Sequence, residues 1–292
     1  MEKDFKRISP KKLKNFTMEE KIRYYNQLRD YYLSLPYDND LKNKKADNFL
    51  KAAKVIISIT DWLYNPKPIN NENEINRIDG KGIIYISNHQ SSLDQFPLIS
   101  AIGKGKPLVV LAKNTLLKLK RGILYKYVGC EFIDLDNIRS TKQVLEVLAK
   151  DILHGRDVLI FPEGTRNTTG NYMLDFKLGA VILAQETGTK IVPYAINEDY
   201  KIFKENYLYV RRGQEFNASL DDDIIEANEK LQEIVRTLIW ENMELERSMR
   251  INNLNKDIRE EAYNQFVKKR DKLENQRKKL INKKDRKYLF LN

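Results

Sequence analysis

The sequence is short of the residue types that build covalent and metal-held scaffolds. One cysteine, Cys130, stands among 292 residues. That excludes an intramolecular disulfide framework and any cysteine-cluster zinc site. The two histidines, His89 and His154, leave little for a histidine-based metal site, and no metal is expected. No stretch resembles a membrane-spanning helix, which needs ~20 predominantly apolar residues. The nearest runs, 55–60 and 82–93, are too short or too polar. The opening MEKDFKRISPKKLK has no apolar h-region, so no secretory signal is expected. The expectation is a protein on the cytoplasmic side that touches a membrane peripherally, if at all.

Charge is plentiful. Lys and Arg number 52 against 41 Asp and Glu, a net charge of +11. A basic surplus points to an anionic partner: nucleic acid, a membrane surface or a phosphorylated substrate. Its location narrows the choice. Residues 245–292 hold 15 Lys and Arg against 7 Asp and Glu, so most of the surplus sits in a tail. The rest of the chain has no signature of aromatics among basic residues, and no nucleic acid partner is expected. Apolar residues make up 41% of the chain, enough for a sizeable core.

Three regions differ in texture. Residues 1–78 read as helices and a linker. Within 17–35, Ile22, Tyr25, Leu28, Tyr32 and Leu35 recur at helical spacing until Pro36 stops the pattern. Segment 48–64 is apolar with Lys51 and Lys54 interleaved, and reads either as a core helix or as an interfacial helix with aromatic anchors. The stretch 65–76 reads as a polar linker. Residues 79–220 alternate strand-sized apolar runs (82–87, 107–112, 130–135, 157–162, 190–196) with helical periods, notably 140–153 and 176–188. That pattern predicts an α/β core with a mostly parallel sheet covered by helices. Residues 221–292 open with a helix whose Ile224, Ala227, Leu231, Val235 and Leu238 share one face. The basic tail follows, either a solvated helix or a basic helix lying on anionic lipid.

Two motifs sit at predicted strand ends, the edge where α/β sheets bind ligands. The first is Asn88-His89-Gln90-Ser91-Ser92-Leu93-Asp94, with Pro97 placed to open a helix. Asp94 falls in the turn before that helix, able to fold back on His89. A carboxylate beside an imidazole fixes its tautomer and makes it a better general base. The second is Phe161-Pro162-Glu163-Gly164-Thr165-Arg166. Gly164 permits a tight turn, Arg166 offers a planar fork suited to phosphate, and Glu163 is suited to orienting that arginine or contacting substrate hydroxyls. Either motif alone reads first as a turn with a local ion pair.

As an ordered pair they resemble the glycerolipid acyltransferase family, the 1-acyl-sn-glycerol-3-phosphate acyltransferases and their relatives. Residues 112–137 look like that family's second block and 191–196 like its fourth, so the resemblance spans about 80–200. It departs in the second block. Leu135 stands where an arginine is common, and Lys120-Arg121-Gly122 where a proline is. The resemblance implies transfer of an acyl group from acyl-CoA or acyl-carrier protein to the sn-2 hydroxyl of 1-acylglycerol-3-phosphate. It implies His89 and Asp94 as catalytic, Lys113, Glu163, Gly164, Thr165 and Arg166 as substrate-binding, and no cofactor beyond the acyl donor. Backbone N–H groups at 88–91 or near Gly164 are the expected oxyanion donors. The expected partners are a lysophospholipid, the acyl donor and an anionic membrane at its cytoplasmic face. Two alternatives stay open: a different lysolipid acceptor, or a catalytically silent lipid-binding protein of the same fold.

Overall fold

The computed structural model describes residues 5, 7–71, 74–103, 108–113, 130–134, 137–168, 173–197 and 208–253. Three helices precede the sheet. Helix α1 spans Pro10–Leu13, α2 Met18–Ser34 and α3 Asn39–Tyr64. A capping box starts α2: the Thr17 hydroxyl accepts from the Glu20 N–H, and the Glu20 carboxylate accepts from the Thr17 N–H. Its end follows from Pro36, which disfavours helical backbone at Leu35, where ψ is 148°. Helix α3 begins nine residues earlier than the apolar run at 48. The Asp38 carboxylate caps it by accepting from the Leu41 N–H at 2.8 Å. Asn65, in the left-handed region at φ 42°, closes it.

The strands are β1 (Lys67–Ile69), β2 (Ile84–Ser87), β3 (Leu108–Lys113), β4 (Glu131–Ile133), β5 (Asp157–Ile160), β6 (Lys190–Ile196), β7 (Tyr209–Arg212) and β8 (Phe216–Asn217). Between them run α4 (Gln95–Ile102), α5 (Ile138–Leu153) and α6 (Gly179–Thr187). Helix α7 (Ile224–Asn253) follows. The sheet order is β1-β7-β6-β2-β5-β3-β4, with β8 also on β6. Strands β6, β2, β5, β3 and β4 pair in parallel. Strand β7 runs antiparallel to β6, and β1 pairs in parallel with β7. The fold is therefore α/β with a mostly parallel sheet. The linker reading of 65–76 missed β1. Pro68 lies in it, which an edge strand tolerates because no second neighbour needs its N–H.

Side-chain alternation divides the interior in two. Ile84 and Ile86 of β2, Val158 and Ile160 of β5, and Ile191 of β6 face the layer of α2, α5, α6 and α7. Ile83, Tyr85, Leu159, Val192 and Tyr194 face the layer of α3 and α4. Strands buried on both faces read as continuous apolar runs, which is how the sequence displays them. Gly82 sets where β2 begins: a Cβ there would lie 1.7 Å from the Arg156 carbonyl oxygen, so only glycine fits. Helix α5 ends at His154, whose ring stacks on Tyr37 at 3.8 Å while its Nδ1 bonds the Lys150 carbonyl.

Buried polar groups attach the N-terminal helices. The Arg7 guanidinium pairs with Glu186 of α6 at 2.6 Å, and Tyr32 donates to the same carboxylate oxygen at 3.1 Å. At the other edge, Asp151, fully buried, accepts from Tyr37 at 2.8 Å and from Lys42 at 3.1 Å. Leu28 of α2 is fully buried in the core, on the helix that packs against α5 and α6. Leu28→Ala should cost about 2–5 kcal/mol, the usual range for a large-to-small change with a residual cavity. Urea unfolding should show a lower midpoint at an unchanged m-value.

Candidate active site

Parallel pairing sets β2 beside β5 with Ile86 opposite Ile160. Both strands therefore release their chains at the same, C-terminal, edge. From β2 comes the turn bearing His89; from β5 comes the turn Phe161–Arg166.

Asp94 directs the first turn. It precedes α4, yet its side chain makes no cap to that helix. Its Oδ2 instead accepts from His89 Nδ1 at 2.9 Å, from the Gln90 N–H at 2.6 Å and from the Ser91 N–H at 2.8 Å. The five-residue spacing is what lets one carboxylate oxygen reach back to all three. Asp94 is fully buried, while the His89 side chain keeps 18% of its surface exposed. Since Oδ2 is an acceptor, the tautomer with hydrogen on Nδ1 follows, and the Nε2 lone pair is left available. Helix α4 begins at Gln95, so Pro97 is its third residue rather than its first. An N–H there has no helical partner in any case, so the proline is still accommodated.

The second turn carries the first. The Asn167 N–H donates to the His89 carbonyl at 2.7 Å. The Phe161 ring stacks on the imidazole at 4.2 Å and 20°. Gly164 adopts φ 71°, the left-handed conformation its tight turn requires, and its N–H donates to the Phe161 carbonyl. Glu163 is buried beneath this turn. Its carboxylate is turned inward, 2% exposed, with Oε1 accepting from the His89 N–H at 2.7 Å and Oε2 from the Leu174 N–H at 2.8 Å. Thr165 and Arg166 are exposed on the same turn.

Lys113 is the last residue of β3, which pairs in parallel with β5, so its backbone reaches the same sheet edge. Its side chain, Leu135 and residues 120–122 lie outside the described residues. The expected oxyanion donors are corrected in part. The N–H groups of His89, Gln90, Ser91 and Gly164 are all spent on protein acceptors. Sequence reasoning also passed over Asn88. Its amide donates to the Ile196 carbonyl at 2.9 Å and accepts from the Ile196 N–H at 2.8 Å, extending the β2–β6 ladder by one side chain. The only available signal was an amide immediately after an apolar strand. Among the described residues no cluster of metal-ligating side chains occurs.

A family model described as Acyltransferase matches residues 68–197, which include both turns and every strand from β1 to β6. The chain is 32% identical over 157 residues to the 1-acyl-sn-glycerol-3-phosphate acyltransferase of Borreliella burgdorferi, covering 53% of this chain and 61% of that protein. It is 33% identical over 173 residues to the probable enzyme of that name from Mycoplasma genitalium, covering 56% and 60%. The chain thus spans about three-fifths of the length of these curated relatives. In fold, the chain resembles the crystal structure of the 1-acyl-sn-glycerophosphate acyltransferase PlsC from Thermotoga maritima. The TM-score is 0.50 at 21% identity, over 74% of this chain and 87% of that one.

Burial, with the Asp94 charge adding to it, pushes the Glu163 carboxyl up to about 8, against the pull of its two N–H donors. Its ordinary value is 4.5. The unfolded chain therefore ionises Glu163 first as pH rises. The stability this group contributes is complete below about 4.5 and is lost as pH climbs through about 8. The difference amounts to at most ~5 kcal/mol, at about 1.4 kcal/mol per pH unit. Urea midpoints taken between pH 5 and 8.5 should fall for the wild type and fall less for Glu163→Gln.

Proposed function

We propose that this protein is a 1-acylglycerol-3-phosphate acyltransferase, which moves an acyl group from acyl-CoA or acyl-carrier protein to the sn-2 hydroxyl and makes phosphatidic acid. The observation that carries this reading is the His89–Asp94 pair, with its free Nε2, at the sheet edge beside the Phe161–Arg166 turn. His89 Nε2 takes the proton of the acceptor hydroxyl as its oxygen attacks the thioester carbonyl. The tetrahedral intermediate collapses, the C–S bond breaks, and His89 returns the proton to the departing thiolate. Asp94 holds the ring in orientation and stabilises the imidazolium formed midway. Arg166, exposed on its turn, and Lys113, at the same edge, clamp the acceptor phosphate. Gly164 and Thr165 supply the turn on which that clamp is presented. No cofactor is required beyond the acyl donor, and the basic surface suits either acidic donor.

A second reading keeps the chemistry and changes the acceptor. Leu135 in place of the arginine common in the family favours a lysolipid with a different head group. A silent lipid-binding protein is disfavoured, because it has no use for a carboxylate aimed at an imidazole Nδ1.

Helix α3 supports peripheral attachment to the cytoplasmic face of a membrane. It buries Phe49, Ala53 and Ile57 against the sheet and exposes Val55, Ile56, Ile59 and Trp62, the last at 79%. Lys51 and Lys54 flank that strip, also exposed. An apolar stripe with basic neighbours suits an anionic bilayer interface. No described helix is long and apolar enough to cross a membrane. The sequence beyond Asn253, outside the described residues, holds most of the surplus positive charge.

The test is to incubate purified protein with an acyl thioester and a panel of lysolipids, identifying products by mass. His89→Ala should slow transfer about 10²–10⁴-fold, and Asp94→Asn should do so comparably. Arg166→Ala should raise KM for a phosphate-bearing acceptor more than KM for the donor. Retention of near-wild-type rates by His89→Ala refutes the mechanism. On anionic vesicles, the double change Ile59→Ser, Trp62→Ser should weaken co-sedimentation while leaving turnover of detergent-dispersed substrate near wild type. Unaltered binding removes α3 from the interface.

A further inference from the structure

We propose that Glu163 is a positioning residue for His89, whose two carboxylate oxygens tie the His89 backbone N–H to the Leu174 backbone N–H. The inference rests on the reading of His89 as the base. The sequence pattern suggests a substrate contact for Glu163, and the geometry argues otherwise. The side chain is 2% exposed and both oxygens are already committed, at 2.7 and 2.8 Å. To meet a substrate hydroxyl it would have to surrender one of those bonds and leave a buried N–H without an acceptor.

The ties around His89 show what Glu163 adds. The imidazole is held at Nδ1 by Asp94, and its face lies against Phe161. The carbonyl of His89 is held by the Asn167 backbone N–H. The N–H of His89 is held by Glu163, and among the described residues that is the one tie to its main chain made by a side chain. The other end of Glu163 reaches the segment before α6. There Phe176 donates its N–H to the Gln232 amide oxygen of α7 and accepts at its carbonyl from the Asn228 amide. Gln232 and Asn228 are buried. A continuous path therefore runs from the imidazole-bearing turn through Glu163 to the N-terminal third of α7. Aspartate, one methylene shorter, cannot span the two N–H groups. Glutamine has the length but offers one acceptor oxygen, so its amide nitrogen must face one of the two donors.

In Glu163→Gln, assayed above pH 8, where the Glu163 carboxyl is ionised and both its oxygens accept, kcat should fall about 10–100-fold, the scale expected when a catalytic group moves by an ångström or less. KM for donor and acceptor should stay within about twofold, because groups that touch substrate are untouched. A rise in acceptor KM with kcat retained overturns the proposal and returns Glu163 to substrate binding. So does an unchanged kcat. The second measurement needs no turnover. In ¹⁵N spectra of the free wild-type protein, the His89 and Leu174 amides should exchange slowly with solvent. Both should shift in Glu163→Gln and neither in Arg166→Ala. Free exchange of either amide in the wild type refutes the tie, even if the variant fails to fold. If no lysolipid is acylated while both amides behave as described, the acyl-transfer reading fails and the tie stands.

Discussion

Everything at the site depends on β2 and β5 being adjacent and parallel. Adjacent parallel strands end on the same side, so two turns far apart in sequence arrive together without any long-range contact having to select them. Neither turn is independently stable in its observed shape. The His89 turn has three N–H groups that point inward, and their acceptors are carboxylates at 94 and 163. The Glu163 turn in turn needs the His89 and Leu174 donors to compensate a buried carboxyl. Each turn supplies what the other lacks, and the strand pairing makes the meeting unavoidable.

The same economy of polar groups governs how the helices attach. Side chains buried at layer junctions reach backbone atoms more often than they reach one another. Asn88 bonds Ile196, Asn242 bonds Ala195, and Gln185 bonds Ser219. A two-sided sheet ends in carbonyl and N–H groups that its neighbours do not satisfy, and amide side chains carry both a donor and an acceptor. Charged pairs are placed instead where the N-terminal helices meet the sheet layers, at Arg7–Glu186 and Lys42–Asp151. Removing one partner there would strand a buried charge.

Much of this was readable in the sequence. The apolar runs at 82–87, 157–162 and 190–196 announced the central strands because burial on both faces removes polar alternation. The helical periods at 17–35, 140–153 and 221–246 announced α2, α5 and α7 because each buries one face. Strands β1, β7 and β8 were not legible: they are two to four residues long and lie where linker or loop residues dominate. The start of α3 was hidden because its cap, Asp38, precedes a polar stretch with no apolar period. For 48–64 the sequence left open whether the helix packs on the core or lies at an interface. The helix buries one face on the sheet and exposes the other, so the apolar residues are divided rather than assigned to one role. At the site, residue identity revealed the pairing of His89 with Asp94, whose partners are close in sequence. It did not show the burial of Glu163, because a carboxylate before glycine and arginine looks solvent-facing until the β2 turn is known to lie against it.

Cys130 lends the molecule an experimental convenience. It stands just before β4, partly covered, and burial together with Glu131 pushes its thiol up to about 12. Thiolate rather than thiol reacts with maleimides and disulfides, so the reactive form is scarce at neutral pH. The natural chain is thus a near-silent background for thiol labelling. A cysteine placed on the outer face of α3 would take a fluorophore or spin label almost alone, allowing depth and orientation at a lipid surface to be read from a single reporter without first removing the native sulfur.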